Sequence, residues 1–202
     1  MGFYENHILP ALINLSMRHA DHDPYRKRVL AQAEGRVLEI GVGSGLNFRF
    51  YTDRATEILG IEPHPKLLAM ASSKNSAVPS KLIAGSAESI PLDDRSVDTV
   101  VSTWTMCSLP NLAAALCEMR RVLKPTGQLL FVEHGLAQDE RVRRRQIRWT
   151  PLSKRLAGGC HLDRPISKLV EDAGFRIERV ETGYMRGPKP LTFTYEGSAR
   201  PV

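Results

Sequence analysis

The chain has 202 residues, 42% of them hydrophobic and 25% charged, a length that buries one core well and two poorly, with a balance ordinary for a globular protein. Its formal charge of +6 admits an anionic partner, while three widely spaced cysteines, at positions 107, 117 and 160, fit free thiols in a reducing compartment better than a disulfide framework, so a cytoplasmic location is expected. No apolar run approaches the roughly 18 residues of a membrane span, and Met1–His7 carries neither an export signal nor a myristoylation site, position 6 being Asn.

Residues 3–34 read as two helices broken around Asp21-His22-Asp23-Pro24, where Asp23 can cap and Pro24 can take the first helical position. They form an N-terminal helical cover over 1–35, ahead of a main unit over 36–202 with which they make one structural domain. From residue 36 strands and helices alternate: strand 36–41, helix 46–52, strand 56–62, helix 65–74, strand 80–84, strand 97–103, helix 111–123 and strand 127–133. Such alternation implies right-handed crossovers and a mostly parallel sheet with helices on both faces, a Rossmann-like α/β fold. Leu112, Leu116, Met119, Val122 and Leu123 mark the apolar side of the 111–123 helix, and Cys117 is expected to pack there as a small apolar residue. An arginine-rich helix around 141–149 follows, then a loop through Gly158-Gly159-Cys160-His161, a helix near 163–173 stopped by Gly174, and strands 175–184 and 191–197. These two strands would close a seven-stranded sheet as an antiparallel hairpin.

The richest stretch is Val37-Leu38-Glu39-Ile40-Gly41-Val42-Gly43-Ser44-Gly45, an apolar strand leading into three glycines at alternate positions. Glycines after a buried strand allow a tight turn and let a ligand approach main-chain N–H groups. The third glycine comes two residues after the second, where a dinucleotide fingerprint would place it three after. With Glu39 ahead of it, the pattern resembles motif I of the class I methyltransferases that use S-adenosylmethionine. Thr56-Glu57-Ile58-Leu59-Gly60-Ile61-Glu62 then ends in a carboxylate about 20 residues on, the position of ribose-recognising acids in such folds. Ile83 to Leu92 forms the third element. The resembled family carries there an acidic residue that meets the adenine amino group; this chain has Ser86, so Glu88 or the backbone would do that reading. The resemblance implies a cofactor set of Glu39, Gly41, Gly43, Ser44, Gly45, Asn47, Glu62, Pro63, Ser86, Ala87, Glu88 and Thr103. Asp98 reads as a structural cap.

Further segments extend the likeness: Gly43 to Tyr51, Glu62-Pro63-His64-Pro65, Met106-Cys107-Ser108-Leu109, Glu118 to Pro125, Phe131-Val132-Glu133-His134 and Gly159 to Arg164. Together they resemble the small methyltransferase-like 7 group, whose members include alkyl-thiol methyltransferases, over roughly residues 36 to 197, and more distantly quinone C-methyltransferases and phosphatidylethanolamine N-methyltransferases. The resemblance implies the class I methyltransferase fold, S-adenosylmethionine as cofactor and a small-molecule acceptor. A thiol is favoured, with a phospholipid amine or quinol as alternative and a cofactor-binding module without chemistry as the competitor from another class. The animal members carry an N-terminal hydrophobic anchor that this sequence lacks, so their membrane residence is not expected to carry over.

Methyl transfer is an in-line displacement that depends on position and dryness. Acceptor-side candidates lie at the strand C-terminal ends: Thr103, Trp104, Thr105 and Cys107 after the fourth strand, and Glu133 and His134 after the fifth. His134 is the expected proton acceptor, with His161, on a loop suited to close over the acceptor, as second choice. No metal site is expected: adjacent Cys160 and His161 would point apart, no second cysteine stands two to four residues away, and a triple-thiol site fails if Cys117 faces the helix core. Arg141-Val142-Arg143-Arg144-Arg145-Gln146-Ile147-Arg148-Trp149 has no interleaved aromatic platform of the kind that stacks bases, so nucleic acid is not expected as a partner. The run reads as a solvated helix face, with peripheral contact to an anionic membrane as the other use. Nothing in it fixes an oligomeric state.

Overall fold

A computed structural model describes residues 9–202; the expectations placed on Met1–His7, including a helix beginning at residue 3, lie outside the described residues. Strand β1 (Gly35–Ile40) sends Leu38 and Ile40 into one apolar core and Val37 into another. Strand β2 (Ala55–Glu62) does the same with Leu59 and Ile61 against Ile58. Strands buried on both faces belong in the middle of a sheet covered by helices on both sides.

The other strands are β3 (Ser80–Ala84), β4 (Val97–Thr103), β5 (Leu123–His134), β6 (Phe175–Tyr184) and β7 (Phe193–Pro201). Their order is β3-β2-β1-β4-β5-β7-β6. Pairings among β1 to β5 are parallel, and β7 runs antiparallel to both β5 and β6. This is the expected seven-stranded sheet, with β7 wedged inside the hairpin so that β6 forms the edge. The order reverses between β1 and β4, and a ligand crevice opens at the carboxyl ends of strands flanking such a switch point.

Helices α1 (Leu9–Met17) and α2 (Asp23–Leu30) precede the sheet, and α2 buries Val29 and Leu30 in the core that holds Val37 and Ile58. Asp23 does not cap α2: His22 holds that position, and Asp23 pairs from inside the first turn with Arg26 and Arg49. Helix α3 (Pro65–Ser72) follows β2. Helix α4 (Leu112–Val122) buries Leu112, Ala115, Leu116, Met119 and Val122, spaced as one face of a helix requires. Cys117 is exposed, correcting the expectation that it packs in this core; it stands one helical step beyond that stripe.

The expected helix over 46–52 is a single 3-10 turn at Phe48–Phe50. Burial of Phe48 and the hydrogen bond from the Tyr51 hydroxyl to buried Glu39 pull this segment inward, and tertiary contacts override local propensity. Strand β5 starts earlier than expected, at Leu123, directly after α4. Asp98 is structural, as expected: its carboxylate accepts from Arg36 N–H at 2.9 Å and from Lys124 Nζ at 2.6 Å.

Helix α5 (Glu140–Leu156) carries the arginines on its exposed sides and buries Val142, Gln146 and Thr150 at four-residue intervals. Gln146 ties it down: its Oε1 accepts from Ala137 N–H, and its Nε2 donates to the carbonyls of Gly135 and Pro190. Helices α6 (Ile166–Asp172) and α7 (Lys189–Thr192) flank the closing hairpin. Among the described residues no helix is long and apolar enough to cross a membrane.

Candidate active site

A cavity of about 710 Å³ opens at the carboxyl ends of β1, β2, β4 and β5. Every residue expected at the cofactor lines it except Gly45, whose added Cβ would meet the Phe48 ring and Ala71 at 3.0 to 3.2 Å; that glycine serves packing. The roof is partly the N-terminal cover, where Asn14 of α1 accepts a 2.6 Å hydrogen bond from the Ser44 hydroxyl.

Glu62, buried at the end of β2, shapes the cofactor end. Its Oε2 accepts from Gly43 N–H at 3.0 Å and its Oε1 from His64 N–H at 2.9 Å, which aims the carboxyl across the glycine turn. Burial pushes its pKa up. Each oxygen keeps a second acceptor site, which suits a ribose diol. At Gly43, with φ of +55°, an added Cβ would meet nothing nearer than Gly41 O at 3.8 Å, so the room in front of the turn belongs to the cavity. Gly41 is needed for a different reason, since a Cβ there would lie 2.5 Å from the Thr105 side chain. An anchored carboxylate facing an open glycine turn fits the nucleoside of S-adenosylmethionine.

Glu39 is spent on architecture. It lines the cavity floor, but Oε1 accepts from Asn47 Nδ2 at 2.8 Å and Oε2 from the Tyr51 hydroxyl at 2.8 Å. Asn47 also donates to Thr103 Oγ1 and accepts from Arg26 Nε at 2.9 Å. Arg26 is itself buried and stacks 5.1 Å from the Trp104 ring centroid. The sequence reading missed Arg26; its signal was a charged residue on the face of α2 that otherwise buries Val29 and Leu30. In the loop after β3, Ser86 Oγ accepts from Glu88 N–H, and the Glu88 carboxylate accepts from Asn111 N–H at 2.7 Å.

Burial raises Glu39 from 4.5 to about 7. Between those values the folded chain holds a proton that the unfolded chain has released, so this group's contribution is full below about pH 4.5 and falls as pH rises through 7. Glu39→Gln, an isostere of the protonated form, is expected to be more stable than wild type at pH 8 and nearly equal to it at pH 4.5. Thermal melts across that range check this, and parallel pH profiles for the two proteins would refute it.

The acceptor end gathers Trp104, Cys107, His134 and Cys160. Trp104 has φ of +50°, a conformation bulky residues rarely adopt. Its buried Nε1 has no hydrogen-bond partner among the described residues. His134, half-buried, has its ring 6.4 Å from that of Trp104. Glu133, considered beside His134, is fully buried and does not line the cavity; it accepts from Ser102 Oγ, Thr105 N–H and Cys107 N–H, and so shapes the loop after β4. His161 does not line the cavity either. Its N–H donates to Cys107 O at 2.7 Å, and its ring sits 3.7 Å from Asp163. The covering loop does reach the site, but through Gly158, Cys160 and Leu162.

The convergence of Cys107, His134 and Cys160 is the main feature that chain spacing hid. One ligand atom from each lies within 4.8 Å of the others, a meeting that the spacing of Cys160 and His161 did not suggest. Adjacent Cys160 and His161 do diverge, as expected, but the partners of Cys160 come from two other elements.

A family model described as Methyltransferase domain matches residues 38–131. Human thiol S-methyltransferase TMT1B is 34% identical over 170 residues, covering 80% of this chain and 68% of that one. The chain belongs to this methyltransferase family. The rat TMT1B is likewise 34% identical, over 73% of this chain and 63% of its own length, so this chain spans under two thirds of that relative. An S-adenosylmethionine-dependent methyltransferase of Thermotoga maritima, described as a possible histamine N-methyltransferase, superposes with a TM-score of 0.69 at 22% identity, over 97% of this chain and 99% of that one. The match confirms the Rossmann-like class I fold of the chain.

Proposed function

We propose that this methyltransferase moves the methyl group of S-adenosylmethionine to the sulfur of a small thiol. One observation carries the reading: a single cavity runs from Glu62 and the glycine turn past Thr103 to a chamber at His134 walled by Trp104, Leu162 and apolar residues of α1 and α5. The cofactor supplies a sulfonium methyl, an electrophile already activated by its charge. Glu62 holds the ribose, and the network of Arg26, Asn47 and Glu39 keeps the floor rigid. The roof of α1 and the loop after α5 exclude water, so that the reactants meet in a dry, fixed geometry. His134 accepts or orients the proton of the acceptor. A thiol with a pKa of about 8.5 needs only modest help to ionise, whereas a hydroxyl needs a much stronger base. The thiol S-methyltransferases among its relatives support the same choice.

Transfer of label from methyl-labelled cofactor tests this against alkyl thiols, phenols and phosphatidylethanolamine in parallel. Label in thioether products is expected; turnover confined to another class would displace the thiol, and no turnover at all would favour a cofactor-binding module. A lipid-borne acceptor is the second reading, because Leu12 and Leu156 line the cavity while standing exposed at its mouth, beside exposed Trp149, Leu152 and the arginines of α5. Anionic vesicles are then expected to bind the wild-type chain and to release the variant with Arg143, Arg144 and Arg145 neutralised. Nucleic acid is expected to bind weakly and to be displaced by salt; tight binding at physiological salt would contradict this. Three free thiols suit action in the reducing cytoplasm.

A further inference from the structure

We propose that Cys107, His134 and Cys160 form a site for a thiophilic divalent cation, zinc above all, with its fourth coordination position open to the acceptor chamber. The cation's use rests on the thiol reading; the site itself does not. The three residues come from separate elements: the loop after β4, the end of β5 and the loop between α5 and α6. Their ligand atoms lie within 4.8 Å of one another. Tetrahedral zinc, with Zn–S of about 2.3 Å, places its sulfur ligands about 3.8 Å apart, so at most about an ångström of closure is needed. Two thiolates and one imidazole with a position left over is the donor set of a catalytic zinc site, and sulfur selects against magnesium and calcium.

The surroundings hold this set in place. The loop bearing Cys160 is joined to Cys107 by the His161 N–H bond to Cys107 O, at 2.7 Å. Buried Glu133 accepts from Cys107 N–H at 3.3 Å, and the Ser108 hydroxyl lies 3.6 Å from Cys107 Sγ. Arg164 donates to the carbonyls of Met106 and Leu109, bracing the same loop and placing a positive charge beside a site that would hold two thiolates. Cys107, His134 and Cys160 all line the cavity that also reaches Glu62 and the glycine turn, so a ligand in the fourth position would lie within that same cavity.

In the reaction the acceptor thiol enters the fourth position as thiolate, its proton passing to water at the cavity mouth. A sulfur lone pair forms the new S–CH₃ bond. The bond from methyl to sulfonium breaks with its electron pair staying on the departing sulfur, which leaves as the neutral thioether S-adenosylhomocysteine. The methylated product, also a neutral thioether, is a weaker ligand than the thiolate and leaves the cation. His134 then acts by holding the cation, which takes over the task of making the thiol acidic.

Cobalt(II) titration of the reduced chain reads the site directly. Wild type and Cys117→Ser are expected to take up a single equivalent, with a near-ultraviolet thiolate charge-transfer band and intense visible bands of tetrahedral cobalt. A small alkyl thiol should shift the visible bands. Cys107→Ser/Cys160→Ser should lose them while still binding S-adenosylhomocysteine by calorimetry, which shows that the variant folds. Should the double variant fail to bind it, Cys160→Ser alone and zinc stoichiometry of the wild type decide. No bands in wild type, bands unchanged in a cysteine variant, or wild type purified and titrated without bound zinc would overturn the site. Full thiol methylation after removal of the metal would overturn the cation's role while leaving the thiol reading intact. Cobalt bands without methylation of any thiol would sustain the site and sink that reading.

Discussion

Gly43→Val is expected to abolish measurable binding of S-adenosylhomocysteine, and Glu62→Ala to weaken it ten- to a hundredfold. At Gly43 two effects act together. A β-branched residue is strained at φ of +55°, and its side chain would occupy the open space in front of the turn, where only Gly41 O lies within 4 Å of an added Cβ. Glu62→Ala removes the carboxylate that accepts from Gly43 and His64, and with it the charge-assisted hydrogen bonds that the proposed ribose contact would make, worth roughly 1.5 to 3 kcal/mol. Some of that loss is indirect, because the Gly43 N–H is left without its acceptor and the turn loosens. Calorimetry on both variants measures the effect. Unchanged affinity in both would mean that the cofactor does not sit between the glycine turn and β2, and wild-type preference for a nicotinamide cofactor would overturn the assignment outright.

His134→Ala is expected to lower thiol methylation by about 10² or more with little change in cofactor affinity. His134 lines the acceptor chamber beside Trp104, on the far side of Thr103 from Glu62, so its loss should spare the cofactor end. A more acidic thiol should recover part of the rate, because it ionises without help from the protein. The dependence on acceptor acidity separates this role from a structural one, since a merely loosened fold would slow all thiols alike. Wild-type turnover in the folded variant from pH 6 to 9 would remove His134 from the reaction and leave proximity and desolvation to carry it.

These expectations draw unequally on sequence and structure. The glycine turn and Glu62 were legible because both depend on neighbours in the chain: a buried strand, a turn only glycine makes without strain, and a carboxylate at the end of the next strand. Glu39 stood in the same motif, yet its carboxyl serves Asn47 and Tyr51 in the floor of the cavity. A motif gives proximity to a ligand; which atoms stay free to touch it depends on partners that fold in from elsewhere.

The alternation of apolar runs and amphipathic segments by itself determined the seven-stranded α/β sheet, its antiparallel closure and the place of the ligand crevice, since the period of burial follows from local backbone geometry. Only the tertiary structure decided what surrounds that crevice. Arg26 enters beneath Asn47, the predicted helix over 46–52 shrinks to one turn around Phe48, Cys117 faces outward, and His161 turns aside toward Asp163 while Cys160 meets Cys107 and His134. Those three ligand residues stand 26 or more positions apart, on elements that touch only because parallel strands bring their carboxyl ends to one edge and a loop folds back across it. Periodicity along the chain carries no record of such a meeting, which arises from side chains that share space without sharing sequence.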